Sequence, residues 1–300
     1  MSSNVVCLYH DDCYDGLGAA WALFKRFPDA EFISVRYKEA PPSSLKGKVV
    51  YIVDFCYPFD DLMSILFQEP EELFILDHHK GMDTTIHRFN LAVWLFGLDP
   101  TRFRGLFDAT RSGALITWET LHPDLPVPQI IRHISDRDLW RFELDGTKEV
   151  MAGLGSYQMD LQTWDRLFRW TPDYDPEDSG DPHFAAIDSF ESDGYPILRK
   201  LQIDIDRVKA LTQRQITLGD YTVPLVNVPR MMASEALEQL ALGQPFAVGY
   251  FDTADYREYS LRSTKGVGAD VIEIARLHGG GGHPNAAGFR VPRDHPLAQL

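Results

Sequence analysis

The sequence predicts an α/β protein: an N-terminal, mainly parallel sheet flanked by helices, a connecting helix, and a smaller C-terminal α/β domain. Three observations carry this prediction. Apolar runs of strand length alternate with helix-forming stretches through the first part of the chain. Three of those runs, residues 5–10, 49–54 and 73–77, end in an acid or an imidazole. A stretch dense in Pro, Asp, Gly and Ser, residues 171–194, then precedes a second set of strand and helix patterns.

The elements follow in order. Val5-Val6-Cys7-Leu8-Tyr9-His10 reads as a strand and runs into Asp11-Asp12-Cys13-Tyr14-Asp15-Gly16. Residues 17–27 are rich in helix formers, so a helix should open at Gly16 and end at Pro28-Asp29. Asp15 would then sit at a helix N-terminus, where a carboxylate is favoured. Residues 31–37 alternate like a strand, and Pro41-Pro42 marks a loop. A strand to Asp54 and a short helix over 59–67 follow. Leu73-Phe74-Ile75-Leu76 is an unbroken apolar run that leads into Asp77-His78-His79, as in a strand buried on both faces. Residues 90–98 are expected to form another strand.

Asp108-Ala109-Thr110-Arg111-Ser112-Gly113-Ala114 opens a helix through Leu121. Its N-terminus suits an anion, and it equally suits ordinary capping by Ser112. Residues 129–134 read as a helix leading into Ser135-Asp136-Arg137-Asp138. Residues 197–218 carry Leu198, Leu201, Ile205, Val208 and Leu211 at helical spacing. Strands are expected over 221–228, 246–251 and 259–262, and a helix over 269–277. The expected domains are 1–185, a linker and connecting helix over 186–219, and 220–300.

Composition narrows the function classes. The chain has 300 residues, 44% of them hydrophobic, enough for a sizeable core. Its formal net charge of −15 disfavours duplex nucleic acid as a partner, which needs clustered cations. A small phosphorylated substrate remains compatible, because bound cations invert the local field. Cys7, Cys13 and Cys56 have neither zinc-ribbon spacing nor the look of a disulfide framework. With no signal peptide and no membrane-length apolar run, the expected location is cytoplasmic, without a membrane partner.

In a parallel sheet the three polar strand ends converge at the carboxyl edge, where open α/β sheets take their ligands. Asp and neutral His ligate divalent cations and can also move protons. A metal or acid–base site is therefore expected at Asp77-His78-His79, Asp54 and the segment from His10 to Gly16.

These motifs resemble those of the DHH phosphoesterase superfamily. Asp77-His78-His79 matches its name, residues 10–16 its first motif, Asp54 its second, and Asp136 its fourth. Gly279-Gly280-Gly281-Gly282-His283-Pro284-Asn285-Ala286-Ala287-Gly288-Phe289 is similar to the signature of the associated C-terminal domain. The resemblance implies a metal-dependent phosphodiesterase or phosphohydrolase acting on linear dinucleotides, short single-stranded oligonucleotides or related nucleotides. Exopolyphosphatase- or pyrophosphatase-like hydrolysis is the alternative; single-strand exonuclease action and a non-catalytic nucleotide sensor rank behind it.

The resemblance also implies roles for individual residues. One or two ions, Mn²⁺ or else Mg²⁺, would be held by His10, Asp12, Asp15, Asp54, His78 and Asp136, with Asp138 as the alternative to Asp136. Asp77 would orient or ligate, and His79 would contact the phosphate or assist protonation. Ser112, Arg262, Ser263, Gly281, Gly282, His283 and Asn285 would bind substrate. The glycine run itself reads either as an anion-binding nest or as a surface loop. A homodimer would be in keeping with the resemblance. One departure stands out: Cys13 occupies a position where much of the family has an acid. Asp11 or Asp12 could replace that acid, or the Cys13 thiolate could ligate, and the ion there is expected to bind weakly.

Overall fold

The computed structural model describes residues 4–36, 38–175, 177–178 and 180–299. The chain divides into two compact units, Met1–Leu198 and Arg199–Leu300. In the first unit the strands are β1 (Val5–His10), β2 (Glu31–Val35), β3 (Val49–Val53), β4 (Glu72–Asp77) and β5 (Phe103–Phe107). The helices there are α1 (Tyr14–Arg26), α2 (Phe59–Leu66), α3 (Asp83–Leu95), α4 (Gly113–Leu121), α5 (Gln129–Asp138), α6 (Thr147–Leu154) and α7 (Leu161–Phe168). A long helix, α8 (Pro182–Thr212), contains the boundary between the units just after Pro196.

All five strands pair in parallel, in the order β2-β1-β3-β4-β5. Burial on both faces follows from strand alternation. Cys7, Tyr51, Val53 and Leu76 join one core with Trp21, Trp118 and Ile134 of α1, α4 and α5. Val6, Leu8, Val50, Ile52, Leu73 and Ile75 join the other with Leu62 and Phe89 of α2 and α3. The α/β class expected from the sequence is the one adopted. The strand order reverses between β1 and β3, so the crevice at their carboxyl ends is the topological switch point where such sheets take ligands.

Residues 90–98, expected as a strand, lie in α3 and the turn after it. Buried Ile86, Phe89, Ala92 and Val93 show the helical spacing. The run misleads because Leu91, Trp94, Leu95 and Phe96 are also apolar although exposed, which fills the helix on every side. The sheet's fifth strand is β5, whose signal is broken by Gly105. A Cβ there would lie 2.6 Å from Ile86 Cγ2. Asn90 accepts from Gly105 N–H at 2.7 Å and donates to its carbonyl at 2.8 Å, which ties α3 to the edge strand.

The acidic stretch 171–194, whose composition suits a linker or a surface excursion, is helical from Pro182 onward. The connecting helix, expected to reach 218, ends at Thr212 and is followed by a strand, because Gln215 and Thr217 alternate with buried Ile216 and Leu218. Within the first unit α8 crosses α6 at backbone contact. A Cβ on Gly153 would lie 2.0 Å from Phe190 O, and one on Gly194 would lie 1.9 Å from Glu149 O. Both clashes are with backbone, so Gly194→Ala should lower unfolding stability by about 3 kcal/mol. A urea midpoint equal to that of the parent would refute so close a crossing.

The second unit is a six-stranded sheet. Its strands are β6 (Arg214–Leu218), β7 (Tyr221–Asn227), β8 (Ala247–Asp252), β9 (Tyr256–Arg262), β10 (Gly281–His283) and β11 (Ala286–Pro292), in the order β10-β11-β9-β8-β7-β6. Among the described residues of this unit, only β7 and β8 pair in parallel. Helix α10 (Val271–Leu277) contributes Val271, Ile274 and Ala275 to one core, with Val248 and Leu261. Helix α9 (Arg230–Leu240) and Ile205 of α8 enclose the other, with Val226 and Ala247. Among the described residues, no helix is long and apolar enough to cross a membrane.

Candidate metal centre

The polar strand ends meet because glycines let helices approach them closely. Helix α1 opens directly over the end of β1: a Cβ on Gly16 would lie 2.2 Å from His10 O. Helix α4 opens against Asp54: a Cβ on Gly113 would lie 2.6 Å from Asp54 Cβ. Asp54 follows β3 in the left-handed region (φ 62°), which Asp tolerates better than most residues. Its N–H still donates to Leu76 O at 2.9 Å, so the carboxylate is fixed by the sheet.

The N-terminus of α4 does hold an anion, and that anion is Asp15. Its carboxylate accepts from Gly113 N–H at 2.5 Å and Ala114 N–H at 2.9 Å. Ser112 is fully buried and caps the helix, its Oγ accepting from Leu115 N–H at 3.3 Å. Both readings of this segment are seen, the bound acid being the chain's own Asp15, and Ser112, spent on capping and buried, is set aside as a substrate contact.

His78 sits at the centre of the cluster. Its Nε2 lies 3.1 Å from Asp54 Oδ1, 3.4 Å from Asp15 Oδ2 and 3.5 Å from Asp138 Oδ2. His10 Nδ1 is 3.6 Å from Asp54 Oδ2. Asp77 is fully buried, and its Oδ1 accepts from the N–H groups of His78 at 2.8 Å and His79 at 3.1 Å. The same oxygen lies 2.8 Å from His79 Nδ1. Asp77 therefore orients the His79 imidazole and fixes the backbone of both histidines.

Three groups of these residues bring their ligand atoms within 4.8 Å of one another: His10, Cys13 and Asp54; Asp54, His78 and His79; Asp15, His78 and Asp138. His10 Nδ1 and Asp54 Oδ2 are buried without a hydrogen-bond partner. Buried polar atoms are normally satisfied. Two orphaned ligand atoms beside converging carboxylates fit a divalent cation, so the residues present suit the metal that the motifs imply.

Two expected ligands fall elsewhere. Asp136 accepts from the N–H groups of Glu143 and Leu144 at 2.9 and 3.1 Å and from Thr147 Oγ1 at 2.6 Å, which ties α5 to α6 and the loop before it. Helix α5 continues through Asp138, and residues two apart on a helix point in nearly opposite directions. Asp138 is the acid at the cluster; its position four residues after buried Ile134 was the signal. Asp12 is exposed on a left-handed turn (φ 52°) and belongs to none of the three groups. Cys13 stands in its place, the thiolate alternative that the sequence leaves open.

Burial and the neighbouring Asp54 and Asp138 push the Asp15 carboxyl well above its ordinary range. Burial also opposes the Asp54 charge, but the imidazoles of His10 and His78 outweigh it and hold that pKa well below the usual range. Burial pulls His78 down, yet Asp54, Asp15 and Asp138 together raise it to about 10. In the metal-free protein His78 thus keeps its proton through neutral pH. That proton stabilises the fold fully below the ordinary pKa of 6.5, and the contribution is lost as pH rises through about 10. A cation must displace it, so affinity for Mn²⁺ should climb between those limits, by up to about tenfold per pH unit. Calorimetric titration in buffers of different ionisation heat would show about one proton released per ion; affinity flat from pH 7 to 9 would exclude this.

In the second unit the remaining expected residues gather at one corner. Register places His283 opposite Ala286, and Ala286 opposite Arg262, so the three share a face of the sheet. Arg262 donates to Leu261 O at 2.9 Å and Ser234 Oγ at 3.0 Å, neither of which neutralises its charge. Asn285 Nδ2 donates to Ser263 Oγ at 2.9 Å, and Ser263 N–H to Asn285 O at 3.1 Å. Gly281 and Gly282 lie in strand β10, not in a free loop, and a Cβ on Gly282 would meet Ala286 O at 2.5 Å.

No family model matches the chain. It is 28% identical to "Uncharacterized protein R106" of Acanthamoeba polyphaga mimivirus, an alignment covering 95% of this chain and 66% of that protein. The chain thus spans slightly under two thirds of that relative's length. RecJ from Thermus thermophilus, solved in complex with Mn²⁺, superposes with a TM-score of 0.50 over 95% of this chain and 49% of RecJ, at 13% identity. The chain shares the fold of RecJ. The pGpG-specific phosphodiesterase PggH from Vibrio cholerae matches less closely, with a TM-score of 0.44 and 12% identity over 97% of this chain and 94% of that one. On this fold the cluster described above lies at the carboxyl edge of the parallel sheet, where β1, β3 and β4 end.

Proposed function

We propose that the chain is a divalent-metal-dependent phosphoesterase hydrolysing linear dinucleotides, short single-stranded oligonucleotides or related nucleotides. The observation that carries this reading is the cluster at the switch point, with buried Asp54 Oδ2 and His10 Nδ1 lacking hydrogen-bond partners. His10, Asp15, Asp54, His78 and Asp138 would hold the cation. Mn²⁺ is favoured by the RecJ complex, with Mg²⁺ as the alternative. When bound, the ion supplies Lewis-acid neutralisation of phosphoryl charge. Asp77 fixes the orientation of His79 and, with Asp54, raises the imidazole against the effect of burial. His79 is half-buried, and can donate a proton to the departing oxygen. Arg262, Ser263, His283, Asn285 and the N–H groups of Gly281 and Gly282 would grip the substrate phosphate and sugar.

The test is turnover of the full chain with added Mn²⁺ on linear dinucleotides, short single-stranded DNA, polyphosphate and bis-nitrophenyl phosphate. Dinucleotides should react fastest; preference for polyphosphate would replace this reading with phosphoanhydride hydrolysis. Charge-assisted hydrogen bonds are worth roughly 1.5–3 kcal/mol. Arg262→Ala should therefore lower kcat/KM on dinucleotides by about ten- to a hundredfold. The loss should be smaller on the artificial ester, and equal losses on both would remove Arg262 from substrate binding.

A further inference from the structure

The two ligand groups that share no residue differ in chemical softness. One offers carboxylate, imidazole and carboxylate from Asp15, His78 and Asp138. The other offers imidazole, sulfur and carboxylate from His10, Cys13 and Asp54. The sulfur has no substitute nearby. Asp11 is bound by Arg36, whose Nε donates to its Oδ2 at 2.7 Å. Asp12 is exposed and outside every group. Cys13 itself is fixed by its backbone: it is the residue that caps α1, and its carbonyl accepts from Leu17 N–H at 3.0 Å. Beside it lie the two orphaned atoms, His10 Nδ1 and the fully buried Asp54 Oδ2.

Resting on the reading that this centre binds divalent cations, we propose that the His10–Cys13–Asp54 group is a thiolate-bearing subsite. It takes a borderline-soft cation of the Zn²⁺, Co²⁺ or Fe²⁺ class, while the Asp15–His78–Asp138 group takes Mn²⁺ or Mg²⁺. Thiolate and imidazole favour the former ions, and carboxylates the latter. The sulfur proton is released to solvent as the ion binds. The centre therefore discriminates between two metals by ligand type.

Co²⁺ is the probe. Titrated into the metal-stripped full chain, it should produce a thiolate-to-cobalt charge-transfer band in the near ultraviolet. Cys13→Ser should abolish the band, and Cys56→Ser should keep it. In equilibrium dialysis against equal Zn²⁺ and Mn²⁺, Cys13→Asp should shift the bound ratio toward Mn²⁺ by at least about tenfold, since even outer-shell partners of a metal change affinity that much. Co²⁺ bound without the band, or a band surviving in Cys13→Ser, would overturn the thiolate subsite and leave the metal centre standing. An unchanged dialysis ratio in Cys13→Asp would also overturn it. Failure of the parent to bind Co²⁺, Zn²⁺ or Mn²⁺ at all would overturn this proposal together with the phosphoesterase reading.

Discussion

In the Asp54→Asn protein, Mn²⁺-dependent phosphoester hydrolysis should fall by about a thousandfold or more, a loss of roughly 4 kcal/mol in transition-state stabilisation. Asp54 is the one residue common to the His10–Cys13–Asp54 and Asp54–His78–His79 groups. Asn has the same volume and also tolerates the left-handed backbone at φ 62°. Its side-chain carbonyl can still face His78, so what disappears is the charge and not the packing. Far-ultraviolet circular dichroism should match the parent, while dialysis should show weaker divalent-cation binding overall. Turnover near the parental rate at saturating Mn²⁺ would remove Asp54 from the centre.

Gly16→Ala sets two effects against each other. Gly16 lies inside α1, where Ala is the better helix former by about 1 kcal/mol. Its Cβ, however, would lie 2.2 Å from His10 O and 3.0 Å from His10 Cβ. Overpacking against backbone costs about 3 kcal/mol, so sterics should outweigh propensity and the urea midpoint should fall. The strain falls on His10, whose ring must meet Asp54. A misplacement of about 1 Å in a catalytic constellation costs on the order of a hundredfold, and kcat/KM should drop accordingly. A protein more stable than the parent with full activity would show that the helix opens farther from β1.

Much of the centre was legible because strands buried on both faces leave a plain trace. Each apolar run had to end somewhere, and β1 and β4 end at His10 and Asp77 while β3 stops one residue before Asp54. Parallel pairing then brings those ends together without further information. The family resemblance points to Asp136 ahead of Asp138, and only the continuation of α5 through Asp138 shows which of the two acids faces the cluster. Asp12 was chosen for its chemistry, but the turn it occupies leaves it exposed. Helices α6 and α7 left little trace. Gly153 interrupts α6, and its role is visible only when Phe190 of α8 is beside it. The anion at α4 could not be identified from the local sequence, since it comes from Asp15, far earlier in the chain.

That last arrangement bears on what such a protein could become. Removing Asp15 would strand two buried N–H groups, at about 1–3 kcal/mol each. Losing His10 or Asp138 breaks no comparable backbone bond, and loss of Asp138 takes away a charge that crowds its neighbours. A descendant that abandoned hydrolysis and kept only a nucleotide-sensing surface would be free to discard those side chains. It would still need Asp15 to start α4. Asp15 with Ser112-Gly113-Ala114 would thus outlast His10 and Asp138, as would Asp77, which holds two N–H groups of its own, and a chain bearing only those two acids would keep the architecture of the proposed metal centre without its remaining ligands.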